Sequence, residues 1–182
     1  MTREGDPRPL TGEPLALDLL NTEVLSEGAP IDLFSIPGGL ARWLDATGID
    51  APHDEAALGA LIEARAAIRG VVTSGSGAAE RGRINRVLAR GRVAVAIGTD
   101  ATVTRSVEVG APSWRPAVAA AMNLVDLLET APDRIRRCDH PNCVLWFLDT
   151  TRNGSRRWCS MAGCGNRAKA QRHYERTRSR HA

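Results

Sequence analysis

Four cysteines, the only ones in the chain, fall as Cys138-x4-Cys143 and Cys159-x4-Cys164 with fifteen residues between the pairs. Two short-range thiolate pairs joined by a turn-bearing spacer match the donor pattern of a tetrahedral metal site, with metal–sulfur bonds of roughly 2.3 Å. Four protein ligands leave no coordination position for water or substrate, so such a site is structural and ill placed for Lewis-acid chemistry. Zinc, one structural ion, is the first expectation. An iron–sulfur cluster takes the same four thiolates, and two disulfides or free thiols are the remaining alternatives. Disulfides fit poorly, because no charged and apolar leader follows Met1 and a chain of 182 residues with 43% apolar content does not need covalent staples. His140 and His173 are reserve ligands that four cysteines make unnecessary.

No other chemistry stands out. His53, His140, His173 and His181 are scattered, and no nucleophile–base constellation, phosphate-cradling glycine loop or paired carboxylates accompany them, so the expectation is not an enzyme. Charge is more informative. Residues 134–182 carry twelve basic and three acidic side chains, a net +9, while residues 1–133 carry twelve basic and eighteen acidic, a net −6. A basic appendage on an acidic body points to a polyanion for the appendage. In the last segment Lys169, Arg172, Arg176 and Arg180 recur at helical steps and form one stripe, which Arg152, Arg156, Arg157 and Arg167 extend into a candidate nucleic-acid surface. Arg167 has a second reading as a structural partner of Asp149. Trp146, Phe147 and Trp158 are expected to supply apolar mass beside the metal. In the body, Arg65 interrupts an apolar helix stripe and must be paired; Asp18, Asn21 and Glu23 are the partners considered, and Asp18, Asn21 and Arg65 are the candidate site for an anionic small molecule.

The elements that must position these groups follow from pattern. The first dozen residues read as a disordered or loosely docked arm. An apolar run at 15–20 ends in an Asn21-Thr22 turn, and a short amphipathic helix at 40–44 stops at Gly48. Residues 54–72 form a helix capped by Asp54, with Leu58, Leu61, Ile62, Ile68 and Val72 on its apolar stripe. A third helix spans 79–90. Alternation over 92–109 predicts a β-hairpin turning at Gly98-Thr99-Asp100. A fourth helix follows Pro112 and ends near Pro132, with Val118, Met122, Val125 and Leu128, flanked by Ala121 and Leu124, as a wide apolar face. Near the cysteines, residues 144–148 form a strand, Asn153-Gly154 makes a type I′ turn, and residues 156–158 return as its partner. The helix from 166 to about 178 rests Ala170 and Tyr174 on that hairpin. The fold class is therefore α+β: a mostly helical domain over 1–133 bearing one hairpin, and a small treble-clef-like finger over 134–182. No segment reaches the length of a membrane span, and a cytoplasmic, soluble chain is expected.

Several ordered motifs carry a resemblance. Arg136-Arg137-Cys138, Phe147-Leu148-Asp149-Thr150, Arg156-Arg157-Trp158-Cys159-Ser160-Met161 and Cys164-Gly165-Asn166-Arg167-Ala168-Lys169 resemble the CGNR zinc-finger family. Its finger follows an N-terminal ABATE domain, described as a stress-induced transcription regulator. Leu17-Asp18-Leu19-Leu20-Asn21-Thr22 is similar to the start of that domain, and Leu61-Ile62-Glu63-Ala64-Arg65 to its second, arginine-bearing helix. The resemblance implies zinc at the four cysteines and DNA as partner; joined with the charge split, it gives the expectation of a regulator whose body senses a small-molecule effector or forms a homodimer. The alternatives are a structural zinc module for protein or RNA contacts, and an enzyme with a zinc-stapled tail.

Overall fold

The computed structural model describes residues 6–26, 28–75 and 77–179. Six α-helices and three antiparallel two-stranded ribbons are found among them. In chain order they are α1 (Leu15–Leu20), β1 (Glu23–Ser26), β2 (Ala29–Asp32), α2 (Gly39–Thr47), α3 (Glu55–Ser74), α4 (Ala78–Leu88), β3 (Gly91–Ile97), β4 (Val103–Val109), α5 (Arg115–Thr130), β5 (Ile135–Arg137), β6 (Trp146–Leu148) and α6 (Asn166–Ser179). The strands pair β1 with β2, β3 with β4 and β5 with β6. This is the expected α+β class.

α3 begins where its cap predicts. The Asp54 carboxylate accepts from the Ala57 N–H at 2.8 Å, satisfying one of the orphan donors of the first turn. Its buried face differs from the expected stripe. Ala57, Ala60, Ala64 and Ala67 are buried beside Leu61 and Ile68, whereas Ile62 is 43% exposed and Leu58 and Val72 sit at the margin. α5 shows the same rotation: Ala117, Val118, Ala120, Ala121, Leu124 and Leu127 are buried, Met122 and Val125 are half-buried and Leu128 is exposed. Both corrections have one cause. Alanines let helix axes approach closely, so the small residues take the seam between α1, α3 and α5 and the larger ones flank it.

The β3–β4 ribbon lies where alternation places it, in the register Val93↔Val107, Val95↔Arg105 and Ile97↔Val103. Its tip closes through a Gly98 N–H to Thr102 O bond of 2.8 Å. Only its base packs on the body, so Val95, Ile97 and Val103 remain exposed. The β1–β2 ribbon was not expected; four residues per strand and a proline at position 30 give too little alternation to read.

Two corrections concern the chain ends. The arm is not loose over residues 6–12: Arg8 is buried on Asp6 and Asp18, at 2.8 and 2.6 Å. Residues 1–5 of that arm lie outside the described residues. In the finger, β6 pairs with β5 and not with residues 156–158, in the register Ile135↔Leu148 and Arg137↔Trp146. The Asn153-Gly154 turn is not type I′ either, because among the described non-glycine residues only Ala101 has positive φ; Gly154, at φ +61°, closes a turn by donating to the Thr151 carbonyl at 3.2 Å.

Candidate metal centre

The first cysteine pair is positioned by the β5–β6 ribbon. Cys138 follows β5 and its N–H donates to the Leu145 carbonyl at 2.9 Å, so the chain doubles back and brings Cys143 beside it. The second pair brackets a wide turn over Met161–Gly165 that runs directly into α6. That turn is held by the Ser160 hydroxyl accepting from Gly163 N–H and by Gly165 N–H donating to the Ser160 carbonyl. Gly165 is buried there, and a Cβ at this position would lie 2.8 Å from Met161 Sδ and 3.4 Å from the Trp158 ring.

The four Sγ atoms lie within 4.8 Å of one another. Cys143 to Cys159 is 3.8 Å and Cys159 to Cys164 is 3.6 Å. A tetrahedron with bonds of roughly 2.3 Å has edges of about 3.8 Å, which those two edges match, so the donor set fits a zinc ion. The surroundings also fit. All four sulfurs belong to buried residues, and the Cys159 N–H donates to Cys138 Sγ at 3.4 Å. Thiols crowded this closely cannot all ionise on their own. The Cys159 hydrogen bond and two other thiols hold Cys143 down to about 5, while burial pushes Cys138 up to about 11 and the Cys143 hydrogen bond with burial pushes Cys159 up as well. A divalent cation removes that conflict by pairing with all four thiolates.

The metal centre has an adjacent cation of its own. Arg167 Nη2 donates to Cys164 Sγ at 3.0 Å. This corrects the expected Arg167–Asp149 pairing: Asp149 instead accepts from Thr151 N–H (2.9 Å), Thr151 Oγ1 (2.6 Å) and Arg156 N–H (2.9 Å), and the Thr151 hydroxyl bond leads the contacts that hold its carboxyl low. A tetrathiolate zinc site carries excess negative charge, and a guanidinium bonded to one sulfur offsets part of it. His140 is buried but its Nδ1 accepts from the Asn142 N–H at 3.2 Å, and His173 is exposed on α6; neither joins the sulfur cluster.

A family profile for the CGNR zinc finger matches residues 134–177, and one for ABATE, described as "Putative stress-induced transcription regulator", matches residues 13–131. The chain belongs to the ABATE family. No curated protein matches it. The sulfur geometry and the finger profile together make this a zinc-binding protein.

In this ABATE chain the body and the finger share their cores. Trp146 of β6 belongs to the core built on α1, α3 and α5, while Val24 of β1 is packed among the four cysteines, Leu145 and Phe147. Asn21, fully buried, fastens the seam: its Nδ2 donates to the Trp146 carbonyl at 2.9 Å and its Oδ1 accepts from the Trp146 N–H at 2.8 Å. The Glu13 carboxylate adds a bond from the Leu148 N–H at 2.9 Å.

Asp18, Asn21 and Arg65 therefore do not converge on one small-molecule site. Asp18 is spent on Arg8, the Trp43 indole N–H (3.0 Å) and the Gly12 N–H (2.9 Å). Arg65 is paired, as its position in the stripe requires, but chiefly with an acid that sequence reading missed. Its guanidinium donates to Asp32 at 2.8 and 2.6 Å and to Thr22 at 2.7 Å, with Glu23 at 3.1 Å as the one expected partner in contact. Burial pushes the Asp32 carboxyl up, yet the Arg65 hydrogen bonds and the Phe34 N–H outweigh it and hold the group below its ordinary value. A depressed folded pKa contributes stability that is present above the unfolded value of about 3.9 and lost as pH falls through the folded value. Asp32→Asn is thus expected to flatten the loss of urea midpoint between about pH 5 and about pH 3; parallel slopes in parent and variant would contradict the assignment.

The basic residues divide into two groups. Arg156, expected on the nucleic-acid surface, is instead a brace: it donates to the carbonyls of Cys159 (2.6 Å), Trp158 (3.1 Å) and Leu148 (3.3 Å), lies 4.2 Å over the Phe147 ring and reaches Glu13 at 3.6 Å. Arg167 also serves the metal while remaining exposed on α6. Arg157 is largely exposed and pairs with Asp139 at 2.7 Å. Arg152, Lys169, Arg172 and Arg176 are exposed, and Arg180 lies outside the described residues. Ala170 and Tyr174 are exposed too, so α6 does not rest on a hairpin; the strand expected beneath it does not form, and Ala168 alone is half-buried among residues 166–178 apart from the metal turn. Phe147 is buried and Trp158 half-buried beside the cysteines, as expected, whereas Trp146 is buried in the body's core and not beside the metal.

Proposed function

We propose that this protein is a cytoplasmic, zinc-stabilised DNA-binding regulator, with one zinc ion per chain, in which α6 contacts the phosphates of duplex DNA. The observation that carries the reading is α6 itself. Residues 166–178 place Arg167, Lys169, Arg172, Arg176 and Arg178 against a single acid, Glu175, and the helix stands in solvent on nearly every side. A helix of this length is marginal alone in water, and like charges along it disfavour it further. A polyanion offsets both costs. The ABATE body supplies regulation through a homodimer or a small-molecule effector. Exposed Val93, Val95, Ile97 and Val103 of the β3–β4 ribbon support the former, and a cavity of about 630 Å³ between Arg69, Ile31, Ile36 and Val144 the latter. Neither family description names a catalytic activity.

Binding to duplex DNA measured against salt tests the reading. The logarithm of the association constant should fall with the logarithm of salt at about −0.9 per neutralised phosphate. Arg172→Glu with Arg176→Glu should reduce that slope by about 2 and weaken low-salt binding at least about tenfold. A flat salt response, or a double variant that binds like the parent, would favour the second reading, a zinc module whose exposed helix docks on protein or RNA.

A further inference from the structure

One face of the sulfur tetrahedron is not sealed. A cavity of about 280 Å³ is lined by Cys143, Cys159 and Cys164, but not by Cys138, and Leu25 and Arg167 stand in its wall. It is several times the roughly 30 Å³ share of a water molecule. A small polar solute entering it meets the Cys164 sulfur with a guanidinium already bonded to that atom at 3.0 Å, and a second sulfur, Cys159, only 3.6 Å away. Both cysteines are buried, and among the described residues this cavity opens onto their sulfurs' side of the cluster.

We propose that Cys164 and Cys159 are a hydroperoxide-oxidisable pair and that their oxidation discharges the metal. The Cys164 thiolate attacks one oxygen of hydrogen peroxide; an S–O bond forms, the O–O bond breaks and hydroxide leaves, hydrogen-bonded by Arg167. The Cys159 thiolate then attacks that sulfenic sulfur; the S–S bond forms and the S–O bond breaks as a second hydroxide departs. Each sulfur gives up one electron, the peroxide gains two, and two protons from solvent complete two water molecules. The metal is left with two of four ligands, below what a structural zinc site requires. The inference needs only the thiolate site and stands whether or not α6 binds DNA.

The test is zinc release from the full-length, zinc-loaded protein treated with hydrogen peroxide, followed with a chromogenic chelator, and mass mapping of the product. The parent should release its zinc and yield a Cys159–Cys164 disulfide. Leu25→Trp, which fills the cavity away from the ligands, should bind zinc as the parent does yet release it about tenfold more slowly, a change worth about 1.4 kcal/mol in barrier. Retention of zinc by the parent in excess peroxide, a disulfide between other cysteines, or release from Leu25→Trp at the parent rate would each overturn the proposal.

Discussion

Stripping the zinc with a strong chelator is expected to destabilise the ABATE body along with the finger. Structural zinc contributes on the order of 10 kcal/mol to small metal-folded modules, which exceeds what a few dozen residues can supply by burial alone. Without it the four buried thiols have no common partner and the finger opens. The body feels that opening through specific groups. Trp146 leaves the core shared with α1, α3 and α5, and the Asn21 amide, completely buried, loses both of its partners on the Trp146 backbone. An unsatisfied buried amide costs about 1–3 kcal/mol, and exposing a buried tryptophan adds at least as much. Hydrogen exchange offers the readout. In the zinc-free protein the amides of β5 and β6 should lose protection, and those of α1 and β1 should lose it with them. Protection of α1 that is indifferent to metal would show that body and finger are energetically separate despite the shared cores.

What could be seen in the sequence beforehand follows the range over which each cause acts. Cap, period and ligand spacing act locally, and they placed α3, the β3–β4 ribbon and the cysteine quartet. The burial of Arg65 was also foreseeable, since a cation in an apolar stripe must be paired. Which acid pairs it was not, because Asp32 reaches it through the β1–β2 ribbon, whose strands are too short to show alternation. Arg156 was misassigned for the same reason from the other side. Charge counting treats an arginine as a surface group, while three carbonyls and a phenyl ring converge on this one. The strand pairing of the finger failed on a competition: Asn153-Gly154 favours a hairpin, but the Asp149 carboxylate gathers Thr151 and Arg156 into a compact loop that satisfies the same backbone locally.

Arg8→Met is expected to cost about 3–5 kcal/mol, because it removes the cation from between two buried acids and leaves both uncompensated. The side chains of Arg8, Asp6 and Asp18 are 1%, 4% and 7% exposed, so water cannot replace the guanidinium without opening the arm. Burial pushes the Asp6 carboxyl up, but the Arg8 hydrogen bonds and charge, with a smaller contribution from Arg42, keep it below its ordinary range; with Arg8 gone, burial acts with much less opposition and Asp6 takes up a proton more readily. Asp18 retains Trp43 and the Gly12 N–H, which limits but does not cancel the loss. The urea midpoint of the variant should fall accordingly, and the arm over 6–12 should become cleavable by protease while α3 stays protected. Replacing the pair together, Arg8→Met with Asp6→Leu, should restore part of the midpoint, since an apolar pair of similar volume avoids the desolvation cost that an unpaired acid cannot. A single variant as stable as the parent would mean that the arm contributes nothing to the body, and that Trp43 alone holds Asp18 in place.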